Sequence, residues 1–196
     1  MLLIPEFEVA RLDTIHALFV IATLVLATQG ITGKVYPGVD GNHVVVHSTK
    51  KVEATPESRL EFYGRNKQLF CALDYSSRDG EHGYGVEKAG WTPDGSYFVA
   101  ALASSGGHQA WHSRTIIYSQ DKKWFVNLDD FVDGLGISSS SFELIAPHTL
   151  STHVLKDREI LVTFNLDDLF QQATLAKSTK GIGCAEAKTL KSPLLR

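Results

Sequence analysis

Apolar positions come along this chain in runs of about 5–8 residues, separated by clusters of Gly, Pro, Asp, Asn and Ser. That spacing predicts strands joined by turns. "HVVVHS" at 43–48 is the first β-run, preceded by a glycine-rich, turn-like stretch from Lys34 to Asn42. "RLEFYGRN" and "KQLFCALDY" read as successive strands with a turn near Gly64–Asn66. "SSRDGEHGYG" at 76–85 is a polar loop, too rich in glycine for a helix. In "GWTPDGSYFVAALAS", proline sets φ and glycine permits a positive φ, so Pro93-Asp94-Gly95 predicts a tight turn into a central strand from Tyr97 to Leu102.

Beyond the loop "SSGGHQAWHSR" at 104–114, "TIIYS" and "WFVNL" form a hairpin across the turn "QDKK". "GLGISSSS" reads as a flexible connection, and "FELIAP" and "REILVTFNL" as further strands. "DDLFQQATLAK" predicts the late helix. Leu169, Phe170, Ala173, Leu175 and Ala176 make its apolar stripe, and Gly181 stops it. The expected fold is mostly β, an antiparallel sandwich or a partial propeller-like arrangement with a C-terminal helix.

One apolar run does not fit the β pattern. "ALFVIATLVLA" at 17–27 is uncharged, short for a membrane span and right for the core of a secretory signal, with cleavage expected after Ala27. Its flank is unusual, carrying Glu6, Glu8 and Asp13 against Arg11. The division expected is therefore 1–27, a signal peptide or N-terminal hydrophobic helix, and 28–196, one β-rich domain. A periplasmic or secreted location follows, with the cytoplasm as the alternative and no stable membrane span unless the leader is retained.

Composition narrows the function classes. With 196 residues, 43% hydrophobic and 21% charged, the chain can bury a real core. A net charge of −3 with no Lys/Arg cluster argues against nucleic acid. Two cysteines are too few for a disulfide scaffold. In an oxidising compartment Cys71 and Cys184 could close one long loop, constraining the unfolded chain by about 4–5 kcal/mol. In a reducing one, Cys71 reads as a buried core thiol.

Two tetrads repeat, Asn127–Asp130 and Asn165–Asp168, each directly after an apolar run. The expected role is a strand exit, with the aspartates accepting bonds from free backbone amides and Leu128 or Leu166 entering the core. The copies lie about 38 residues apart, close to one propeller blade.

The densest set of reactive side chains is the 104–114 loop. His108 and His112 would stand about 13 Å apart on an extended strand, too far to share a metal. A folded loop could converge them, with His82, His148, His153 or an aspartate as third zinc ligand. Ser104 and Ser105 precede glycines whose amides could form an oxyanion hole, but no Gly-x-Ser-x-Gly elbow is present. Asp129/Asp130 and Asp79/Glu81 are the paired carboxylates, though adjacent residues seldom face one another across a substrate. Trp111, His112 and Arg114 could instead recognise a glycan or peptide by stacking and forked hydrogen bonds. No dinucleotide, phosphate or haem motif occurs, so no cofactor is expected.

Trp91, Thr92, Pro93, Asp94 and Gly95 resemble the Trp-[Ser/Thr]-Pro-Asp-Gly strand entry of TolB-type β-propeller repeats. Together with Ser105-Gly106-Gly107-His108, Trp111 and Leu128-Asp129-Asp130, this turn is similar to segments of an uncharacterised family of exported bacterial β-rich proteins. The resemblance implies a domain type and export, and attaches no activity. The expectation is an exported binding or structural protein rather than an enzyme, whose partner is a protein, peptide or glycan at the cell envelope. The alternative is a small secreted hydrolase, with or without a metal, using the 104–114 loop.

Overall fold

The "YFVAALAS" run shows how the chain is layered. In a computed structural model, which describes residues 33–49, 56–106, 113–132, 136–155, 157–175 and 181–183, it forms the strand Tyr97–Ser104. Its alternate residues enter two different cores. Tyr97, Val99 and Ala101 face one, and Phe98, Ala100 and Leu102 face the other. A strand covered on both sides needs apolar residues at successive positions, which is why this run does not alternate.

Among the described residues the strands make two antiparallel sheets. The smaller holds β1 (Gly33–Pro37), β2 (His43–Ser48), β3 (Ser58–Tyr63) and β4 (Leu69–Asp74) in sequential order. The larger contains β5 (Tyr84–Trp91), β6 (Tyr97–Ser104), β7 (Ser113–Ser119), β8 (Trp124–Asn127), β9 (Gly136–Ile145), β10 (Thr149–Leu155), β11 (Glu159–Asn165) and β12 (Gly181–Gly183). Its main path runs β11-β10-β9-β7-β6-β5, and β8 pairs with β7 and β12. Of the two architectures expected, this is the sandwich.

Between the sheets, Val44, Val46, Leu60, Cys71 and Leu73 pack against an aromatic cluster centred on Phe62. Its ring lies 5.8 Å from Phe98, 4.9 Å from Tyr118 and 5.0 Å from Phe125, the first and last edge-on. Such aromatic pairs add about 0.5–1.5 kcal/mol each beyond their burial. Cys71 is fully buried here, and Cys184 lies outside the described residues.

The second core lies on the far side of the large sheet. There α1 (Leu166–Leu175) turns Leu166, Leu169, Phe170 and Ala173 inward against Val99, Ile117 and Leu150. Leu175, expected in this stripe, is 74% exposed, and Ala176 lies outside the described residues. The sheet curls over this core: Lys88 on β5 donates to the carbonyl of Phe142 on β9 and sits 5.0 Å from that ring's centroid. Among the described residues no helix is long and apolar enough to cross a membrane.

Several segments differ from the sequence reading. "GISSSS" belongs to β9, and part of the 34–42 stretch forms β1. The strands β5 and β10 lie in stretches not read as strands at all.

Candidate functional site

The loop expected to carry function is only partly described. His108, Trp111 and His112 lie outside the described residues. Arg114 stands on β7 opposite Leu102, with its guanidinium 5.0 Å above the Tyr84 ring. It is a half-buried cation on an aromatic face within a strand.

Ser105 is drawn into a structural cage. Glu57, only 1% exposed, accepts bonds from Ser77 N (2.7 Å), Ser77 Oγ (2.6 Å), Gly83 N (2.8 Å) and Ser105 Oγ (2.7 Å). Burial alone would raise this carboxyl, but the four donors outweigh it and hold it below its ordinary value. The Ser105 hydroxyl also accepts from Gly83 N at 3.0 Å, so it is committed on both sides. Asp79 and Glu81 do not face each other as paired acids. Asp79 accepts from the Glu81 backbone amide at 2.9 Å and binds His82 Nδ1 at 2.6 Å. Among the described residues no group of three or more His, Cys, Asp or Glu is disposed to hold a metal.

At another place four strand-connecting turns converge on a cleft of about 420 Å³. Val39, Asp40 and Asn42 come from the β1–β2 turn, Arg65 from β3–β4, Asp94, Gly95 and Ser96 from β5–β6, and Gln120, Asp121 and Lys123 from β7–β8. The β5–β6 turn follows from its sequence. Gly95 N donates to Thr92 O at 2.8 Å, closing the turn around Pro93, and Gly95 takes φ +76°. A Cβ at Gly95 would stand 2.5 Å from Val39 Cγ2, so glycine also lets the first turn approach. Gln120 N donates to Ser96 O at 2.9 Å, joining the third and fourth turns.

The lining is polar and of mixed sign. Arg65 pairs with Asp40 at an exposed site. Lys123 Nζ lies 5.4 Å from the centroid of the Phe70 ring. Gln120 Oε1 is buried and has no hydrogen-bond partner among the described residues.

Asp94 connects this cleft to a second cluster. Its Oδ2 meets His148 Nε2 at 2.6 Å, while His148 Nδ1 meets Asp167 Oδ2 at 2.7 Å. Tyr97 donates its hydroxyl to Asp167 Oδ1 at 2.6 Å, and its ring stands edge-on to His148. Partial burial would raise the Asp94 carboxyl, but bonds from Ser96, Thr92 and His148 hold it far below the usual carboxylate range. Asp167 is lowered by the bonds from Tyr97 and His148. The bonds to Asp167 and Asp94 raise the His148 imidazole against the effect of burial. Burial and the bond to Asp167 raise the Tyr97 phenol, which stays protonated.

Asp167 had been expected to cap the helix. Asn165 does so instead: its Oδ1 accepts from Asp167 N at 2.9 Å and Asp168 N at 3.3 Å. That leaves the Asp167 carboxylate for Tyr97 and His148. The sequence marks His148 only as one of several third zinc ligands and Asp94 only as a turn residue. Gln120 and Asn42 carried no sequence signal. Neither a family model nor a curated protein sequence matches the chain.

Proposed function

We propose that this chain is an exported, non-catalytic binding protein of the cell envelope, and that the four-turn cleft takes a neutral, polyhydroxylated ligand such as a glycan segment. The observation that carries the reading is the chemistry of the lining. Its volume falls within the roughly 300–1,000 Å³ of ligand sites. Its one large apolar side chain is Val39, so an apolar ligand would gain little there. The lining sets Asp40, Asp94 and Asp121 against Arg65 and Lys123, with Arg65 paired to Asp40 and His148 behind Asp94, so neither sign of charge dominates. No net charge selects a phosphate or a cation. Asn42, Asp121 and the side-chain amide of Gln120 offer both donors and acceptors, as hydroxyl groups require.

Export rests on the leader-like 17–27 stretch and on the resemblance to exported β-rich proteins, and the Cys71–Cys184 bridge belongs to that same reading. Intact mass of the protein recovered from its host tests both, through loss of residues 1–27 and of two thiol hydrogens. The ligand is tested by titrating ¹⁵N-labelled protein with neutral oligosaccharides. The expected result is saturable movement of the Asn42, Ser96 and Gln120 backbone amides, lost in Gln120→Ala. Static amides at millimolar saccharide would overturn the glycan assignment. Cleavage of the oligosaccharide would replace binding with the hydrolase alternative.

A further inference from the structure

His148 joins three segments distant in sequence: the β5–β6 turn through Asp94, the β9–β10 turn on which it sits, and the start of α1 through Asp167. The backbone repeats the last tie, since Leu166 N donates to His148 O at 2.9 Å. Both ring nitrogens stand within 2.7 Å of a carboxylate oxygen. A neutral imidazole has one N–H and would aim a lone pair at one of the two carboxylates. Only the imidazolium donates from both nitrogens. With Asp94 and Asp167 both held ionised, this geometry calls for the charged ring.

The surroundings agree from every side. Asp94 faces the ring from the β5–β6 turn and Asp167 from α1. Tyr97 presents a neutral ring from β6, and Asp121 on the β7–β8 turn adds negative charge near that phenol. No cation among these groups opposes protonation. The side chain of His148 is 23% exposed, so protons exchange with solvent.

We propose that His148 is the positioning residue of the four-turn cleft: as an imidazolium it holds the Asp94 turn in the shape that lines the cleft, and its deprotonation releases that turn and weakens binding. This rests on the cleft being the binding site. The sign follows from linkage. A base that gains partners on folding is favoured in its charged form, so its stabilisation is complete below the unfolded pKa of about 6.5 and disappears as pH rises through the higher folded value. Binding weakens over the same interval.

The test reads the His148 ring nitrogens and the Asp94, Gly95 and Ser96 backbone amides by NMR across pH, in the whole chain without ligand. The expected result is protonation of both nitrogens at pH 6, a midpoint above about 6.5, and movement of the three amides with that same midpoint. Asp167→Asn keeps the Asn165 cap and should lower the midpoint by about one pH unit. A midpoint at or below 6.5, or turn amides that ignore it, overturns the proposal even where a saccharide binds. Conversely, a high midpoint with coupled amides sustains the latch even if every saccharide fails, in which case the ligand assignment alone falls.

Discussion

Replacing Glu57 with glutamine changes one oxygen and leaves the packing almost intact, so its effect isolates the hydrogen-bond cage. Three donors converge on Oε1 (Ser77 Oγ, Gly83 N and Ser105 Oγ), and Ser77 N alone meets Oε2. The amide keeps most bonds by placing its oxygen at the Oε1 position. Its NH₂ then opposes Ser77 N–H at 2.7 Å, so one charge-assisted bond is lost and a buried donor is left unmet. Three further bonds weaken because their acceptor is now neutral. With charge-assisted bonds worth about 1.5–3 kcal/mol and an unsatisfied buried group costing about 1–3, relief of carboxylate desolvation offsets only part, leaving a loss of about 3 kcal/mol. For a domain of this size that is roughly 6–12 °C in Tm.

The pH dependence is a second, independent signature of the same cage. The folded carboxyl lies below its ordinary 4.5, so its stabilisation is complete above that value and is lost as pH falls through the folded pKa. Protonation at low pH likewise makes the Glu57 acceptor neutral and adds an O–H among its donors, so the wild type then loses the charge assistance that glutamine lacks. Urea unfolding followed by tryptophan fluorescence should therefore show a gap between wild type and Glu57→Gln at pH 7 that narrows below pH about 4.5. A loss under about 0.5 kcal/mol at pH 7, within the range of an ordinary surface substitution, or a gap independent of pH, would refute the cage.

The two tetrads offer a matched pair. Asn165→Ala removes a cap with two backbone donors and should cost about 1 kcal/mol in chemical denaturation, whereas Asn127→Ala, whose side chain caps nothing, should cost less than half of that. Equal losses would mean that the capping geometry is not what distinguishes them. Gly95→Ala must adopt a left-handed φ and displace Val39, so a loss of about 2 kcal/mol is expected in thermal unfolding, with altered amide shifts at Val39. An unchanged Tm would show that the turn relaxes freely.

How much of this was legible in the sequence depends on where each element buries its residues. The central strand β6, the β7–β8 hairpin and α1 were readable because apolar density or helical spacing marks them locally. By contrast, β10 alternates Leu150, Thr152 and Val154 inward with Thr149, Ser151 and His153 between them, and four polar residues in seven disguise the pattern. Thr152 is buried yet satisfied, donating to Ser141 O at 3.0 Å, which makes a polar core position inexpensive. The serines of β9 give a flexible-looking sequence because most of them lie outside the core, where side-chain polarity says nothing about backbone pairing. The His148 cluster could not be read at all. Its members lie 54 and 19 positions apart, and nothing local in the chain marks a residue whose partners arrive from other turns.

The repeated tetrad shows how one local signal acquires two outcomes. Both copies end a strand at Asn and bury the following Leu completely, as expected of a strand exit. After Asn127 the chain makes only the single 3₁₀ turn Leu128–Phe131, and Gly134 follows soon after in the sequence. After Asn165, Leu169, Phe170 and Ala173 recur at helical spacing and bury a full face, so the first turn propagates into α1. A propagating helix has orphan amides at its second and third positions, and the Asn165 side chain is placed to meet them. Since the asparagine does the capping, the aspartate beyond it keeps its charge available for Tyr97 and His148. The structural difference between the copies thus lies outside the tetrad, in three apolar residues that decide whether a helix forms and which side chain it leaves over.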